Sequence, residues 1–341
     1  MIESLHETAK AMVTPGKGIL AADESTGTIS KRLSATGMDP GQEMRRDYRE
    51  MLFGAREALE NYISGVILYD ETIRQNASDG TAFVEMLTQA GVLVGIKVDT
   101  GAKPLAGSPR ETVTEGLDGL RERCAQYRGL GARFTKWRAV IGIGDGRPSR
   151  NCIHTNAHAL ARYAALAQEA GLVPIVEPEV LMDGDHEITR CMEVTEAVLN
   201  AIYEELHVQG VRLEGMILKP NMVVSGSLCR KQASVEQVAQ MTVTCLKRAV
   251  PAAVAGIAFL SGGQAGEMAT ARLCAMNATF STPWPLSFSY GRALQADALK
   301  LWAGKAQNVA RARAALTHRA YMNALAASGR WSPEAERGNI D

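Results

Sequence analysis

Glu214-Gly-Met-Ile-Leu-Lys219-Pro220-Asn221 is the segment on which the fold prediction depends most. Met216 to Leu218 form a short apolar run of the kind that a fully buried parallel strand requires. The run ends in Lys219, and Pro220 prevents a regular continuation of the strand. Burial disfavours the charged form of an amine, and a neutral lysine amine can form a Schiff base with a carbonyl. On this segment alone, a lysine that reaches out of the strand end to pair with a carboxylate is an open alternative.

Further apolar runs occur on both sides of this segment. The eight strand candidates are 18–23, 65–71, 92–99, 132–138, 173–179, 216–219, 256–263 and 286–292. The helix-like segments are 43–61, 81–90, 111–127, 155–170, 187–206, 235–250 and 265–277. Residues 3–13 are expected to form a short helix over the surface, and residues 24–27 a polar loop.

The alternation of strands and helices decides the fold class. It predicts a parallel sheet, and eight such units over about 250 residues match the (β/α)8 barrel in size. An open doubly wound sheet is the alternative, but Gly142-Ile-Gly144-Asp-Gly146 lacks the spacing of a dinucleotide-binding turn. We therefore predict an α/β protein with one (β/α)8 TIM barrel over residues 1–328, followed by a short, mobile C-terminal tail at 329–341.

Charged or polar side chains stand at the C-terminal end of nearly every strand candidate. They are Asp23, Asp70 or Glu71, Lys97 with Asp99, Lys136 with Arg138, Glu177 with Glu179, Lys219, Ser261 and Arg292. Residues i and i+2 of a strand point to the same side, so each charged pair can direct both groups together. A barrel brings these strand ends to one rim, where barrel enzymes keep their active sites. The sequence therefore predicts chemistry at this rim.

Two segments after the last strand candidates predict an anion site. Leu260-Ser261-Gly262-Gly263-Gln264 leaves a strand and enters a helix, and Gly291-Arg292 occupies the same position one strand later. Free backbone N–H groups and the positive end of a helix dipole bind anions. Because barrels commonly hold phosphate after their seventh and eighth strands, a phosphate group is the predicted ligand.

Composition and spacing argue against several other classes of protein. Lysine plus arginine and aspartate plus glutamate both number 37, which gives no electrostatic case for binding nucleic acid or an anionic membrane. We expect no membrane span, because no apolar run reaches about 18 residues, and the N-terminus does not resemble a secretory signal. Six scattered cysteines without a C-x-x-C pair predict reduced thiols in an intracellular, cytoplasmic protein.

Metal chemistry fits the sequence poorly. His154 and His158 have the spacing of a zinc-ligand pair, but the glutamate of the H-E-x-x-H pattern is missing between them. Both histidines were expected in the loop and helix start before the fifth strand, away from the rim. We therefore predict surface or capping roles for them and no metal site.

Taken together, these segments closely resemble class I fructose-bisphosphate aldolases, the metal-independent enzymes that form a lysine Schiff base. The matching segments are Ala21-Ala-Asp-Glu-Ser-Thr-Gly27, Val94-Gly-Ile-Lys-Val-Asp99, Lys136-Trp-Arg138, Pro174-Ile-Val-Glu-Pro-Glu179, Asp183-Gly-Asp-His186, Leu218-Lys-Pro-Asn-Met222, Phe259-Leu-Ser-Gly-Gly-Gln264 and Phe288-Ser-Tyr-Gly-Arg-Ala-Leu-Gln295. They run in family order from about residue 18 to 305, and their combination is highly specific.

The resemblance implies a role for each matching residue. Lys219 would form the imine with the ketose carbonyl, and Glu177 would transfer protons for it. Asp23 and Lys136 would be further catalytic groups, and Glu179 a supporting carboxylate. The residues matching the site for one substrate phosphate are Ser261, Gly262, Gly263, Ser289, Gly291 and Arg292. Those matching contacts to the substrate and its other phosphate are Thr28, Arg32, Arg45, Lys97 and Arg138.

The implied reaction is the reversible cleavage of fructose 1,6-bisphosphate to dihydroxyacetone phosphate and glyceraldehyde 3-phosphate, as in glycolysis and gluconeogenesis. It would need no metal and no cofactor, since an iminium accepts the electrons released when the carbon–carbon bond breaks. The family resemblance also implies a homotetramer. Another Schiff-base aldolase or a transaldolase acting on a phosphorylated ketose is the alternative enzyme, and a non-catalytic scaffold would require a damaged site.

The C-terminus departs from the family pattern. Many members end in a tyrosine that reaches the active site, whereas the last tyrosine here is Tyr321 and the chain ends Gly338-Asn-Ile-Asp341. The sequence does not reveal a preference between fructose 1,6-bisphosphate and fructose 1-phosphate.

Overall fold

Eight parallel strands close into a barrel in the computed structural model, which describes residues 2–337. Round the barrel, each strand pairs with its neighbour along the chain, and an antiparallel hairpin lies outside the barrel between its third and fourth strands. The strands, hairpin included, are β1 (Gly18–Ala21), β2 (Ile63–Leu68), β3 (Leu93–Lys97), β4 (Gly101–Pro104), β5 (Thr112–Glu115), β6 (Phe134–Ile141), β7 (Val173–Val180), β8 (Ile217–Leu218), β9 (Gly256–Phe259) and β10 (Leu286–Tyr290). The predicted TIM barrel is confirmed.

Helices surround the barrel and return the chain from one strand to the next. They are α1 (Ile2–Met12), α2 (Thr26–Ala35), α3 (Gln42–Phe53), α4 (Arg56–Tyr62), α5 (Asp70–Ile73), α6 (Phe83–Gln89), α7 (Leu120–Gly129), α8 (Arg150–Glu169), α9 (Ile188–Val208), α10 (Val235–Ala249), α11 (Gly266–Thr279), α12 (Arg292–Trp302), α13 (Val309–Ala327) and α14 (Pro333–Arg337). Short 3-10 helices cover Leu213–Gly215 and Ala306–Asn308. Among the described helices, none has both the length and the apolarity needed to cross a bilayer.

One helix begins later in the structure than the sequence predicted. Residues 111–127 were expected to be helical, but Thr112-Val-Thr-Glu115 is strand β5, and α7 begins only at Leu120. The run of β-branched residues favours a strand, and Gly116 and Gly119 have positive φ angles of 126° and 62° that separate it from the helix.

The segment 43–61 and the loop 24–27 also differ from the prediction. The segment forms two helices instead of one: α3 ends at Phe53, and α4 begins at Arg56. A Cβ atom on Gly54 would lie 2.0 Å from Nη2 of Arg313, so a side chain at this position would displace the guanidinium. The expected polar loop ends early, since α2 already begins at Thr26.

Helix α1 closes the bottom of the barrel. The sequence placed this helix over the surface, but its side chains at Leu5, Ala9 and Met12 are buried against residues at the start of the barrel strands, including Ile175 and Ile217. The helix therefore belongs to the core, and it leaves only the opposite rim open.

In the barrel interior, one large aromatic ring packs against two strand glycines. Phe134 of β6 is fully buried, and a Cβ on Gly95 of the neighbouring β3 would lie 2.1 Å from its ring. A Cβ on Gly65 of β2 would lie 3.0 Å from the same ring. The interior is thus a packed core rather than a channel, as this fold requires.

The C-terminal segment packs against the barrel as far as it is described. Trp331 Nε1 donates to Glu336 Oε2 at 2.8 Å, and Arg319 Nη2 donates to Glu336 Oε1 at 2.5 Å. The predicted mobility of 329–341 stays a prediction, and residues 338–341 lie outside the described residues.

Candidate active site

A cavity of about 650 Å³ opens at the C-terminal rim of the barrel. Every residue that the sequence assigned to the site lines it, except Arg45. These are Asp23, Thr28, Arg32, Lys97, Lys136, Arg138, Glu177, Glu179, Lys219, Ser261, Gly262, Gly263, Ser289, Gly291 and Arg292. The barrel thus brings together residues from nearly the whole length of the chain.

Lys219 lies at the centre of the cavity, directly after β8. Its backbone N–H still donates to the carbonyl of Val176 on β7 at 2.8 Å, which keeps the residue in register with the sheet before Pro220 ends the strand. Its Nζ lies 3.1 Å from Oε1 of Glu177. The side chain is only 4% exposed, so the amine is shielded from bulk water.

Four charged side chains form an alternating row through this centre. Lys136 Nζ lies 2.6 Å from Asp23 Oδ2 and 3.1 Å from Glu177 Oε2. All four side chains, Lys219 included, are buried. Oε2 of Glu177 is buried beside the Lys136 ammonium group and accepts no well-directed hydrogen bond from the described residues.

Burial and neighbouring charges act in opposite directions on these groups. Burial alone would raise the pKa of Asp23, but the positive charges of Lys136 and Lys219 outweigh it and hold that pKa well below its usual range. The same balance lowers the pKa of Glu177. Burial alone would lower the pKa of Lys136, but the carboxylates of Asp23 and Glu177 raise it. At neutral pH the row therefore holds two carboxylates and a permanent ammonium group at Lys136.

Two further ion pairs lie on the wall of β3, β6 and β7. Arg138 donates to the carboxylate of Glu179, and Lys97 donates to that of Asp99. Asp99 also accepts from the backbone N–H of Arg138 at 3.2 Å and of Gly101 at 3.1 Å. The Lys97–Asp99 pair joins residues i and i+2 of one segment, whereas the Arg138–Glu179 pair joins β6 to β7. Both cations therefore already have a carboxylate partner.

Two glycines, a serine and an arginine lie close together where β9 and β10 end. Gly262 and Gly263 have φ angles of +57° and +90°, which a glycine adopts without strain. A Cβ on Gly263 would lie 3.6 Å from Nη2 of Arg292, the first residue of α12, so the guanidinium stands beside the turn. Ser289 Oγ is buried without a partner among the described residues, and its residue lines the cavity. Backbone N–H groups, a helix start and a free hydroxyl suit a phosphate.

A cluster around Glu24 lies beside the end of β10, where a Cβ on Gly291 would be 3.9 Å from Oε1 of Glu24. Its carboxylate accepts from Arg32 and, at 2.7 Å, from Arg49 Nη2. Thr28 Oγ1 lies 3.1 Å from Ser25 Oγ at the start of α2. Glu24 is buried and lines the cavity, yet the sequence prediction left it in a polar loop. Its position directly after Asp23 at a strand end was the signal that could have identified it.

Other lining residues were also missed. They are Ala21, Ser25, Leu181, Met182, Asp183, Ser227 and Leu260. Asp183 belongs to one of the segments that carried the family resemblance, but apolar and small residues such as Leu181 and Ser227 have no charge pattern that would mark them.

Arg45 and the acidic end of β2 do not face the cavity. Arg45 donates twice to Glu71, at 2.9 and 2.5 Å, and once to the carbonyl of Pro40 at 2.7 Å. Asp70 accepts from Arg74 and from Tyr127. The structure therefore does not bring the predicted substrate contact of Arg45 to the site.

The histidine pair lies on α8, well after that helix begins at Arg150. Both His154 and His158 are exposed, and Nδ1 of His158 lies 3.1 Å from Glu205 Oε2. Within residues 2–337, no group of three or more histidine, cysteine or acidic side chains is placed to hold a metal ion.

Comparison with known proteins matches this geometry to one family. The family model described as fructose-bisphosphate aldolase class-I matches residues 4–341. A probable fructose-bisphosphate aldolase class 1 of Xanthomonas campestris is 59% identical over 331 residues, which cover 97% of this chain and 99% of the relative. Fructose-bisphosphate aldolase C-A of Danio rerio is 51% identical, covering 97% and 91%. The structure of Plasmodium falciparum fructose-bisphosphate aldolase, solved with TRAP and a small-molecule inhibitor, superposes with a TM-score of 0.95 at 47% identity, covering 97% of this chain and 95% of that chain.

Proposed function

The chain belongs to the class I fructose-bisphosphate aldolase family, and from this membership we propose how its rim residues divide the work of the reaction. The enzyme is a metal-independent lyase that cleaves fructose 1,6-bisphosphate reversibly to dihydroxyacetone phosphate and glyceraldehyde 3-phosphate through a lysine Schiff base. This is a step of glycolysis and gluconeogenesis. The observation that carries the assignment of roles is the buried contact of 3.1 Å between Lys219 Nζ and Glu177 Oε1.

Schiff-base formation begins when Glu177 takes a proton from the ammonium group of Lys219, because its carboxylate lies within 3.1 Å of that nitrogen. The neutral Nζ attacks the ketose carbonyl carbon, and Glu177 gives its proton to the carbonyl oxygen, which becomes the carbinolamine hydroxyl. Glu177 then moves a second proton from the nitrogen to this hydroxyl, which leaves as water, and an iminium remains. Lys136 lies at the other oxygen of Glu177 and stabilises its carboxylate form before and after each transfer.

Cleavage then needs a base for the hydroxyl on the fourth carbon of the sugar. Removal of that proton breaks the bond between the third and fourth carbons, and the electron pair moves into the iminium to give an enamine. Glu177 is the proposed base, since its Oε2 has no well-directed hydrogen bond from the described residues. Asp23 stays ionised beside Lys136 and supports the positive charge of the iminium. Protonation of the enamine and hydrolysis of the imine release dihydroxyacetone phosphate and restore the amine.

The two ends of the bisphosphate bind on opposite sides of Lys219. We assign one phosphate to the turn and helix start after β9 and β10, with the six residues Ser261, Gly262, Gly263, Ser289, Gly291 and Arg292. The other end of the substrate is assigned to the hydroxyl of Thr28 and to the cations of Arg32, Lys97 and Arg138. Each of these three cations already has a carboxylate partner, so the substrate must share them, whereas Arg292 has no such partner among the described residues.

Assembly and location are further parts of the proposal. Family membership supports a homotetramer that works in the cytoplasm. Light scattering after size-exclusion chromatography should give about four times the mass of the 36.6 kDa chain. A monomer at micromolar concentration would contradict the tetramer.

Trapping the imine tests the chemistry directly. Borohydride added with dihydroxyacetone phosphate should reduce the imine, abolish activity and leave one adduct on the peptide that contains Lys219. Lys219→Met should give no adduct, whereas Lys247→Met, which removes an exposed lysine from α10, should be labelled like the wild type. An adduct on another lysine, or activity that disappears on chelation with EDTA, would refute the assignment. Cleavage of unphosphorylated fructose as fast as the bisphosphate would instead point to a different aldolase.

A further inference from the structure

Arg272 is a buried cation directly behind the anion-binding turn. It lies on α11, the helix that follows the turn, and its residue is only 8% exposed. Its Nη1 donates to Oε1 of Gln264 at 2.6 Å, while its Nε has no partner among the described residues. Within residues 2–337 it forms no ion pair with a carboxylate. Burying a charge without a counter-charge is costly, so its retention in the core needs a reason.

Gln264 connects this guanidinium to the turn. The backbone N–H of Gln264 donates to the carbonyl of Ser261 at 3.0 Å and so closes the turn around Gly262 and Gly263. Side chains of a helix lean towards its N-terminus, which lets Arg272 reach back to the residue that ends the turn. Arg272 therefore fixes the side chain of Gln264, the residue whose backbone N–H closes the turn.

A second buried arginine, on α13 beside the start of α11, differs from Arg272 in having a carboxylate partner. Arg319 is also buried, and its Nε lies 3.5 Å from where a Cβ on Gly266 would be. Its charge, however, is neutralised by Glu336 Oε1 at 2.5 Å from Nη2. Arg272 has no such partner within the part of the chain that the structure describes, so an anion bound at the turn is the group that could offset its charge.

We propose that Arg272 is a positioning residue for the substrate phosphate: it holds the Ser261–Gly263 turn through Gln264, and its buried positive charge favours a dianion there. The inference rests on the proposed function, because it takes this turn as the place where the substrate phosphate binds.

Competitive inhibition by inorganic phosphate is the measurement that tests it. Arg272→Met removes the charge and the donor at similar volume, and should raise both the Ki of phosphate and the KM for fructose 1,6-bisphosphate about tenfold, with kcat changed less than about twofold. Arg272→Lys keeps the cation and should recover part of the loss. The matched control is Arg313→Met, because among the described residues that half-buried guanidinium donates to the carbonyls of Met51 and Glu50 and does not line the cavity. It should leave Ki and KM unchanged.

The outcomes separate this inference from the proposed function. A folded Arg272→Met enzyme with wild-type Ki and KM would overturn the role of Arg272. If that variant does not fold, Gln264→Leu breaks the same contact and leaves the cation in place, and it should also raise the Ki. Unchanged Ki values in both Gln264→Leu and Arg272→Lys would then overturn it. Imine trapping on the wild-type preparation is measured alongside: its failure would refute the proposed function, whereas normal trapping with an unchanged Ki refutes only the role of Arg272.

Discussion

Glu177 is the residue on which the chemistry of the rim depends, because it lies between two lysines. One oxygen faces Lys219 and the other faces Lys136, each at 3.1 Å. The ammonium group of Lys136 on one side keeps this carboxylate ionised, and therefore able to accept a proton from the other side. Removing one member of a buried charge group leaves the others without compensation, so activity and stability should both respond.

Replacement of Glu177 by glutamine should therefore stop proton transfer with little change in shape. We expect kcat to fall by roughly 10²- to 10⁴-fold, the usual contribution of a general acid or base. Steady-state kinetics on fructose 1,6-bisphosphate measure this. Glu205→Gln is the control, since that carboxylate contacts only an exposed histidine of α8 in the described structure. A Glu177→Gln enzyme within tenfold of the wild type would show that another group carries the proton.

The pH dependence of stability follows from the same residues. The pKa values of Asp23 and Glu177 are lower in the folded state, so both groups stabilise the fold above the unfolded values of about 4. This stabilisation is lost as the pH falls through their folded pKa values. The pKa of Lys136 is raised, so its contribution is complete below about 10.4 and is lost only as the pH rises beyond that. The free energy of unfolding in urea should therefore fall steeply below about pH 4.

The substitution Asp23→Asn checks which group is responsible. It should flatten the acid limb of the unfolding curve, because the amide does not titrate. An acid limb as steep as that of the wild type would mean that other carboxylates cause the loss.

At the scale of single elements, small residues decide how the strands pack. Gly95 of β3 lies under the ring of Phe134, and no side chain fits between them. Alanine there should destabilise the protein by about 1–3 kcal/mol through overpacking. Urea unfolding measures the change. Gly129→Ala is a matched control at the end of α7, where nothing lies within 4 Å of the new Cβ. It should be neutral or stabilise by up to about 1 kcal/mol, and equal losses in both variants would refute the packing argument.

The elements also show where local patterns mislead. The segment Thr112–Glu115 lies before a helix and was assigned to it, but the partner strand β4 is supplied by residues 101–104. Whether a segment forms a strand of this kind depends on a partner strand from another part of the chain, and the periodicity of the segment itself does not contain that information. Helix α1 was predicted correctly as a helix, but its burial was not, because the barrel bottom that it covers is built by strands much further along the chain.

At the scale of the whole molecule, Glu336 links the described part of the C-terminal segment to helix α13. Glu336 accepts from Arg319 and from Trp331, and Nε2 of His318 lies 3.3 Å away. Glu336→Ala should cost about 1–3 kcal/mol in the free energy of unfolding, because Arg319 is left buried without its partner. Glu334→Ala removes an exposed carboxylate from the same helix and should stay within about 0.5 kcal/mol of the wild type. Identical urea midpoints for both variants would show that the segment contributes nothing to the fold.

The amino-acid sequence by itself determined the barrel and most of its rim. Alternation of apolar runs with helical segments is a local property, and so is the presence of a charge where a strand ends, as at Lys136, Glu177 and Lys219. The turn at Ser261–Gly263 is equally local, because only glycine adopts its left-handed backbone easily. Once the strands are parallel, closure of the barrel brings these ends together without further specification.

Only the tertiary structure decided which partner each charged side chain takes. Arg45 turns to Glu71 instead of the cavity, Glu24 is shared by two arginines, and Arg272 reaches Gln264 behind the phosphate turn. These contacts join residues from different elements, and their free energy depends on burial and distance, which exist only after the chain has folded. A sequence records the charges, but the fold sets the distances between them.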